Sequence, residues 1–285
     1  MVAPSFEKVR RVRTFDDVVE QLREAILSGR IRPGDRIDLN VDAGESYGAW
    51  RMSDDAALFA EVSSANLACG FHAGDPGTIR TSLRLALDAK VAVGAHPGLP
   101  DLVGFGRRAM TVTPDDIYAD TLYQVGAMYA FVRAASAELH HMKPHGALNT
   151  AVAETSDAHA EAIVTATRDF DPDLPIIAIA GSRLHQAARR LAQPVVAEGF
   201  PDRGYAPDGS LAKRGTEGAI IHDPRTAAER AVRMANEGTV EALDGTVVEL
   251  TPGTLCIHGD NPGSVATAQA IRAALEREGI TIAAF

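Results

Sequence analysis

The sequence predicts an α/β barrel, and three observations carry that expectation. From about residue 37 onward, short apolar runs alternate with amphipathic stretches of helical period, the pattern that builds parallel βαβ units. About eight such units occur, which suits a barrel better than an open sheet. The chain has 285 residues with no linker rich in Pro, Gly or Ser, so one barrel-sized domain fits its length. The expected strands are Ile37–Val41, Val62–Cys69, Val91–Ala95, His140–Lys143, Ile176–Ala180, Val195–Phe200, Ala219–Ile221 and Leu255–Ile257. Helices are expected near 75–89, 114–135, 155–169, 182–192, 224–237 and 263–278. Asp75 and Asp223 each stand before a proline that opens a helix, the usual place of a capping side chain. Thr239–Leu250, with Asp244-Gly245 at its middle, reads as a β-hairpin excursion. Asp208-Gly209 reads as a turn.

Residues 1–36 form an N-terminal extension distinct from the barrel at 37–285. Thr14–Ser28 reads as one amphipathic helix, with Val18, Leu22, Ala25 and Ile26 on one stripe. This helix resembles the first helix of winged-helix regulators of the GntR type. No recognition helix follows it, so nucleic-acid binding is not expected. The net charge of −10 points the same way. No apolar run reaches the roughly 18 to 20 residues of a membrane helix, and no secretory signal pattern is present. Two distant cysteines are no disulfide framework, and the chain reads as cytoplasmic.

Chemistry gathers where the strands end. Val41 leads to Asp42, Gly44 and Glu45. "LACGFHAGD" supplies His72, "VAVGAHPG" His96, "HHMKPHG" Lys143 and His145, "VVAEGFPDR" Glu198, Asp202 and Arg203, "IIHDP" His222, and "LCIHGD" His258 and Asp260. Five of nine histidines thus stand at expected strand ends, and that rim is where barrel enzymes build their sites. Taken singly, each histidine has an ordinary structural reading. Convergence of five strand ends does not. His140, His159 and His185 fit ordinary helix or strand-edge positions. Cys69 and Cys256 fit buried packing, with Cys69 of more interest because it adjoins Gly70 and His72. There is no Walker-type loop, no G-x-S-x-G elbow, no H-E-x-x-H helix and no CxxC pair. His72 and His96, with Asp42, are candidate ligands of a divalent metal.

The segments "DLNVDAGESYGAWRMSDD", "SSANLACGFHAGDPGTI", "GAHPGLPDLVGFGRR", "KPHGALN" and "CIHGDNPGSV" resemble the LamB/YcsF family from about residue 37 to the C-terminus. The resemblance implies a seven-stranded variant of the β/α barrel, related to the glycoside hydrolase/deacetylase group. One of the eight runs, with Ala219–Ile221 the first candidate, then lies outside the barrel. It also implies the first of three components of a 5-oxoprolinase, which opens the 5-oxoproline lactam to L-glutamate with ATP as co-substrate and works with subunits B and C. On the matching motifs, Asp42, Glu45, Lys143, His145 and Asp260 are the catalytic candidates. Asn40, Asn66, Arg107 and His258 are candidates for binding substrate or nucleotide. Asp42 is cast as base or metal ligand, Lys143 as a cation for a phosphoryl or carbonyl oxygen, His145 as a proton carrier, and Arg107 as a clamp for an anion. Two positions depart from the family pattern: Val41 stands where Cys is frequent, and Asn149-Thr150 where Tyr-Asn is frequent. A stand-alone metal-dependent amidase or deacetylase, and a regulatory binding protein, are the alternative readings, and a homo-oligomer is left open.

Overall fold

The computed structural model describes residues 36–261 and 263–285; the helix expected at Thr14–Ser28 lies outside the described residues. Seven parallel strands close into a barrel: β1 (Arg36–Ala43), β2 (Ser64–Ala68), β3 (Ala92–His96), β4 (His141–Met142), β5 (Ile176–Ile179), β6 (Val195–Gly199) and β9 (Thr254–Ile257), with β9 pairing back to β1. The α/β expectation holds, with seven staves. Ala219–Ile221 is not a stave, because it lies in the long segment after β6 and contributes one bridge, Ile220 to Arg203. β7 (Thr239–Glu241) and β8 (Val247–Glu249) form the expected antiparallel hairpin. β10 (Thr281–Ile282) pairs in parallel with the start of β1.

Helices α1 (Asp55–Phe59), α2 (Pro76–Asp88), α3 (Pro114–Ala134), α4 (Asp157–Phe170), α5 (Arg183–Arg190), α6 (Pro224–Glu237) and α7 (Ser264–Arg277) cover the strands. Asp75 caps α2 by accepting from Gly77 N and Thr78 N, and Asp223 caps α6 through Arg225 N and Thr226 N. Asp208 accepts from Ser210 N in the expected turn. No helix among the described residues is long and apolar enough to cross a membrane.

The apolar core fills the layer between strands and helices, while the barrel interior is polar. β1 shows why, since alternate residues of a strand face opposite sides. Ile37, Leu39, Val41 and Ala43 belong to the apolar cluster. The intervening Asp38, Asn40 and Asp42 form a hydrogen-bonded column. Asp38 accepts from Ser63, Ser64 and Thr254. Asn40 Nδ2 donates to Thr254 Oγ1 at 2.8 Å and to Glu198 Oε1 at 3.1 Å. Asn66 Nδ2 bonds Asn40 Oδ1 at 2.7 Å and Asp42 Oδ1 at 2.8 Å. Buried polar groups survive when each finds a partner, and this column leads from the barrel floor to its C-terminal mouth.

Candidate active site

At that mouth the column ends in Asp42 and Lys143. Lys143 Nζ lies 2.9 Å from Asp42 Oδ1, 2.7 Å from Glu198 Oε1, 3.2 Å from Asn40 Oδ1 and 3.0 Å from Cys256 Sγ. An ammonium has three donors, so Lys143 is fully engaged inside the protein. Burial pulls its pKa down, but Asp42 first among its neighbours outweighs that and holds it well above the ordinary lysine value. Burial likewise opposes ionisation of Asp42, yet His96 and Lys143 keep its carboxyl well below the usual range. Burial wins at Glu198, whose pKa is raised despite Lys143. Cys256 therefore has a specific contact beyond packing, and Cys69, pushed up to about 12 by burial, is an unreactive thiol.

Beside Asp42 lies a buried quartet. Glu45 Oε1 is 3.3 Å from His72 Nε2, 3.2 Å from His145 Nδ1 and 4.0 Å from His96 Nε2, and Asp42 Oδ2 is 3.3 Å from His96 Nε2. One donor atom from each of Glu45, His72, His96 and His145 falls within 4.8 Å of the others. The His72 and His145 rings stack with centroids 3.8 Å apart. Burial drives His72 down to about 3 and also lowers His145. At Glu45 burial works the other way, but the adjacent His145 and His72 hold its carboxyl below the usual range.

The hydrogen bonds fix the tautomers. His96 Nδ1 donates to the Lys143 carbonyl at 2.7 Å, and His145 Nε2 donates to the Phe105 carbonyl at 2.9 Å. A carbonyl only accepts, so in the neutral rings His96 Nε2 and His145 Nδ1 both carry lone pairs. These two atoms face each other at 3.0 Å. Facing lone pairs repel unless a proton or a cation lies between them. His72 Nδ1 is also buried without a hydrogen-bond partner. Gly106 makes the loop geometry feasible: its φ is +61°, and a Cβ there would stand 2.7 Å from His72 Cβ and 3.0 Å from His145 Cδ2.

A cavity of about 330 Å³ opens above these groups. Asp42, Lys143, His145, Arg107 and His258 line it, facing the segment Leu211–Arg214 that follows β6. Arg203 holds this segment through its terminal nitrogen to Ala212 O at 2.8 Å, and its Nε donates to Ala219 O, further along the chain, at 2.9 Å. His258 Nδ1 lies 2.9 Å from Asp202 Oδ2, and its backbone N–H donates to the same oxygen at 3.0 Å. Burial is outweighed at Asp202 by His258, so its carboxyl stays ionised. This fixes the imidazole and leaves Nε2 for chemistry. Arg107 pairs with Asp260 at 2.7 Å and lies 4.8 Å over the Phe105 ring.

The fold thus brings Asp42, Glu45, Lys143, His145, Asn40, Asn66, His72, His96 and His258 to one mouth. Asp260 is attached through Arg107 and does not line the cavity. His222 does not join: its run is not a stave, and its side chain is exposed. Asp202 and Glu198 proved to be partners of site residues. His141 drew no attention in sequence, yet its Nε2 meets Asn66 Oδ1 at 2.7 Å inside the barrel; its signal was only its place two residues before Lys143 in a strand.

Comparison with known proteins agrees with this architecture. The LamB/YcsF family profile matches residues 37–285. The A component of 5-oxoprolinase from Thermus thermophilus is 52% identical over 250 residues, covering 88% of this chain and 100% of that protein. Its counterpart in Heliobacterium modesticaldum is 49% identical over 249 residues, covering 87% and 98%. The crystal structure of a lactam utilization protein, also from Thermus thermophilus, superposes with a TM-score of 0.83 at 51% identity, covering 88% of this chain and 100% of that one.

Proposed function

The chain belongs to the LamB/YcsF family, and from that premise we propose that it is the A component of a 5-oxoprolinase. The reaction is opening of the 5-oxo-L-proline lactam to L-glutamate, coupled to hydrolysis of ATP to ADP and phosphate. The names of the relatives at about half identity support this. The observation that carries it is one cavity lined by an ionised carboxylate, a carboxylate-oriented imidazole and His145, the member of the buried Glu/His quartet that reaches it.

A lactam is a resonance-stabilised amide and a poor electrophile. Opening it needs a polarised carbonyl oxygen, an activated water and a proton for the departing nitrogen. Asp42, held ionised, takes the proton from the attacking water. His258, oriented by Asp202, returns a proton to the ring nitrogen as the C–N bond breaks. Lys143 positions Asp42 and keeps it charged. Arg107, paired with Asp260, lines the same cavity and adds positive charge near an anionic substrate.

Glu45, His72, His96 and His145 would hold a divalent metal. Their nitrogen and oxygen donors suit first-row cations. The facing lone pairs are relieved by a cation, and the spacings of 3.0 to 3.3 Å resemble the separation of neighbouring ligands each about 2.1 Å from one ion. The backbone carbonyls on His96 and His145 act as the outer partners such ligands require. Bound there, a metal polarises a carbonyl and acidifies water. ATP is used by the enzyme assembled with subunits B and C, any nucleotide site on this chain is not of the Walker type, and the setting is the cytoplasm.

The quartet also favours a second reading, a stand-alone metal-dependent amidase. Glutamate formation separates the two. The first reading expects it only with ATP and partner subunits; the second expects it from this chain alone, without ATP and abolished by a chelator. Absence of glutamate in both settings overturns both.

A further inference from the structure

Two residues of the cavity wall, the buried Asn149 and the exposed Arg214, have a polar side-chain group without a partner among the described residues. Asn149 lies in the π-helical turn Leu148–Val152 after β4. Its side chain is 3% exposed and lines the cavity, yet its Oδ1 has no hydrogen-bond partner. A buried acceptor is normally satisfied, and in a residue that lines a cavity a ligand N–H can supply the missing partner. Arg214 is the second. Of the cations that line the cavity, Lys143 is enclosed by Asp42 and Glu198, Arg107 pairs with Asp260, Arg203 is spent on backbone carbonyls, and Lys213 is an exposed ammonium without a guanidinium's fork. Arg214 has no such bond among the described residues. Desolvation at the wall, then repulsion from Arg107 and Arg203, acts on its guanidinium. Converging guanidinium groups with one free member make a site for an anion with two oxygens.

We propose that Asn149 and Arg214 are the specificity-determining residues of this cavity, Asn149 Oδ1 accepting the ring N–H of the lactam and Arg214 pairing bidentately with its carboxylate. The inference rests on 5-oxoproline as substrate. It places the lactam ring beside Asp42, His145 and His258, which line the same cavity, with the carboxylate directed at the segment after β6.

Two truncated analogues separate the contacts. 2-Pyrrolidone lacks the carboxylate, and 5-oxotetrahydrofuran-2-carboxylate replaces the ring N–H by oxygen. In the enzyme reconstituted with its partner subunits, KM for 5-oxoproline and competitive Ki for each analogue are measured in wild type, Arg214→Met and Asn149→Leu. Arg214→Met raises KM about 10- to 100-fold, the size of a charge-assisted bond, with kcat little changed and Ki for 2-pyrrolidone unchanged. Asn149→Leu raises KM about fivefold with Ki for the lactone unchanged. Arg214→Lys, which keeps charge and loses the fork, falls between wild type and Arg214→Met. Asn149→Ala repeats the second arm should the leucine variant not fold. A variant that weakens 5-oxoproline and its own truncated analogue alike, or leaves KM unchanged, overturns the assignment for that residue. Wild type that neither turns over 5-oxoproline nor distinguishes it from 2-pyrrolidone overturns the substrate reading itself.

Discussion

Replacing Lys143 by methionine removes the one cation shared by Asp42 and Glu198 while keeping most of the side-chain volume. The two carboxylate oxygens then stand where an ammonium had been 2.9 and 2.7 Å away. Removing one partner of a buried ion pair costs about 3–5 kcal/mol, because a buried charge is left uncompensated. Two features place Lys143→Met at the low end. Glu198 is already raised toward protonation by burial and can take a proton, and Asp42 keeps its bond from Asn66 at 2.8 Å. A loss of about 3 kcal/mol corresponds to a fall in Tm of about 6–12 °C for a domain of this size. Urea unfolding followed by circular dichroism, with the slope unchanged, measures the loss. The double variant Lys143→Met/Glu198→Gln recovers part of it, since the amide can still accept from Asn40 without carrying charge. A loss under about 1 kcal/mol, within the range of ordinary surface changes, or a double variant no more stable than the single, refutes the view of Lys143 as the organiser of the column. Lys143 would then be free to serve a phosphoryl or carbonyl oxygen, the role its motif suggested.

Gly94→Ala places a Cβ 2.1 Å from His141 Nε2 in a buried strand. The ring must shift, at about 1–3 kcal/mol for overpacking, and its contact with Asn66 is disturbed. Thermal unfolding shows the loss, and turnover falls with it because Asn66 holds Asp42; unchanged turnover in a destabilised variant breaks that link. Asp75→Ala removes the cap of α2 and costs about 1 kcal/mol at neutral pH. Bonds from Gly48 first, then Thr78, lower the folded-state pKa of Asp75 to about 2, below its unfolded value of about 3.9. Its contribution is therefore complete above about pH 4 and lost as pH falls toward 2. The gap in urea midpoint between wild type and variant narrows across that window, and a gap that stays constant contradicts the assignment.

Most of the fold was legible because local rules produce it. Capping aspartates, the Asp244-Gly245 hairpin and the strand–helix alternation are all short-range signals, and the strand-end rule collected Asp42, His72, His96, His145 and His258 before any geometry was known. Ala219–Ile221 looked like a strand because three apolar residues cannot distinguish a stave from a loop that packs on one. His222 inherited that error. The inward polar row of β1 was hidden within a run read as apolar. The pairing of Lys143 with Glu198, of His141 with Asn66 and of His258 with Asp202 depends on barrel closure between residues far apart in the chain. No spacing in the sequence encodes it. Arg214 belongs to an irregular segment whose path is set by the Arg203 staple, a contact visible only once folded.

The central claim is that lactam opening takes place in the cavity beside the Glu45/His72/His96/His145 centre. It is tested most directly by glutamate formation from 5-oxo-L-proline in the enzyme reconstituted with its partner subunits and ATP, comparing wild type with Glu45→Gln. Wild type should accumulate glutamate, and Glu45→Gln should be slower by about 100-fold or more, the scale on which a group at the reacting centre acts. Glu45→Gln turning over at close to the wild-type rate would contradict the claim.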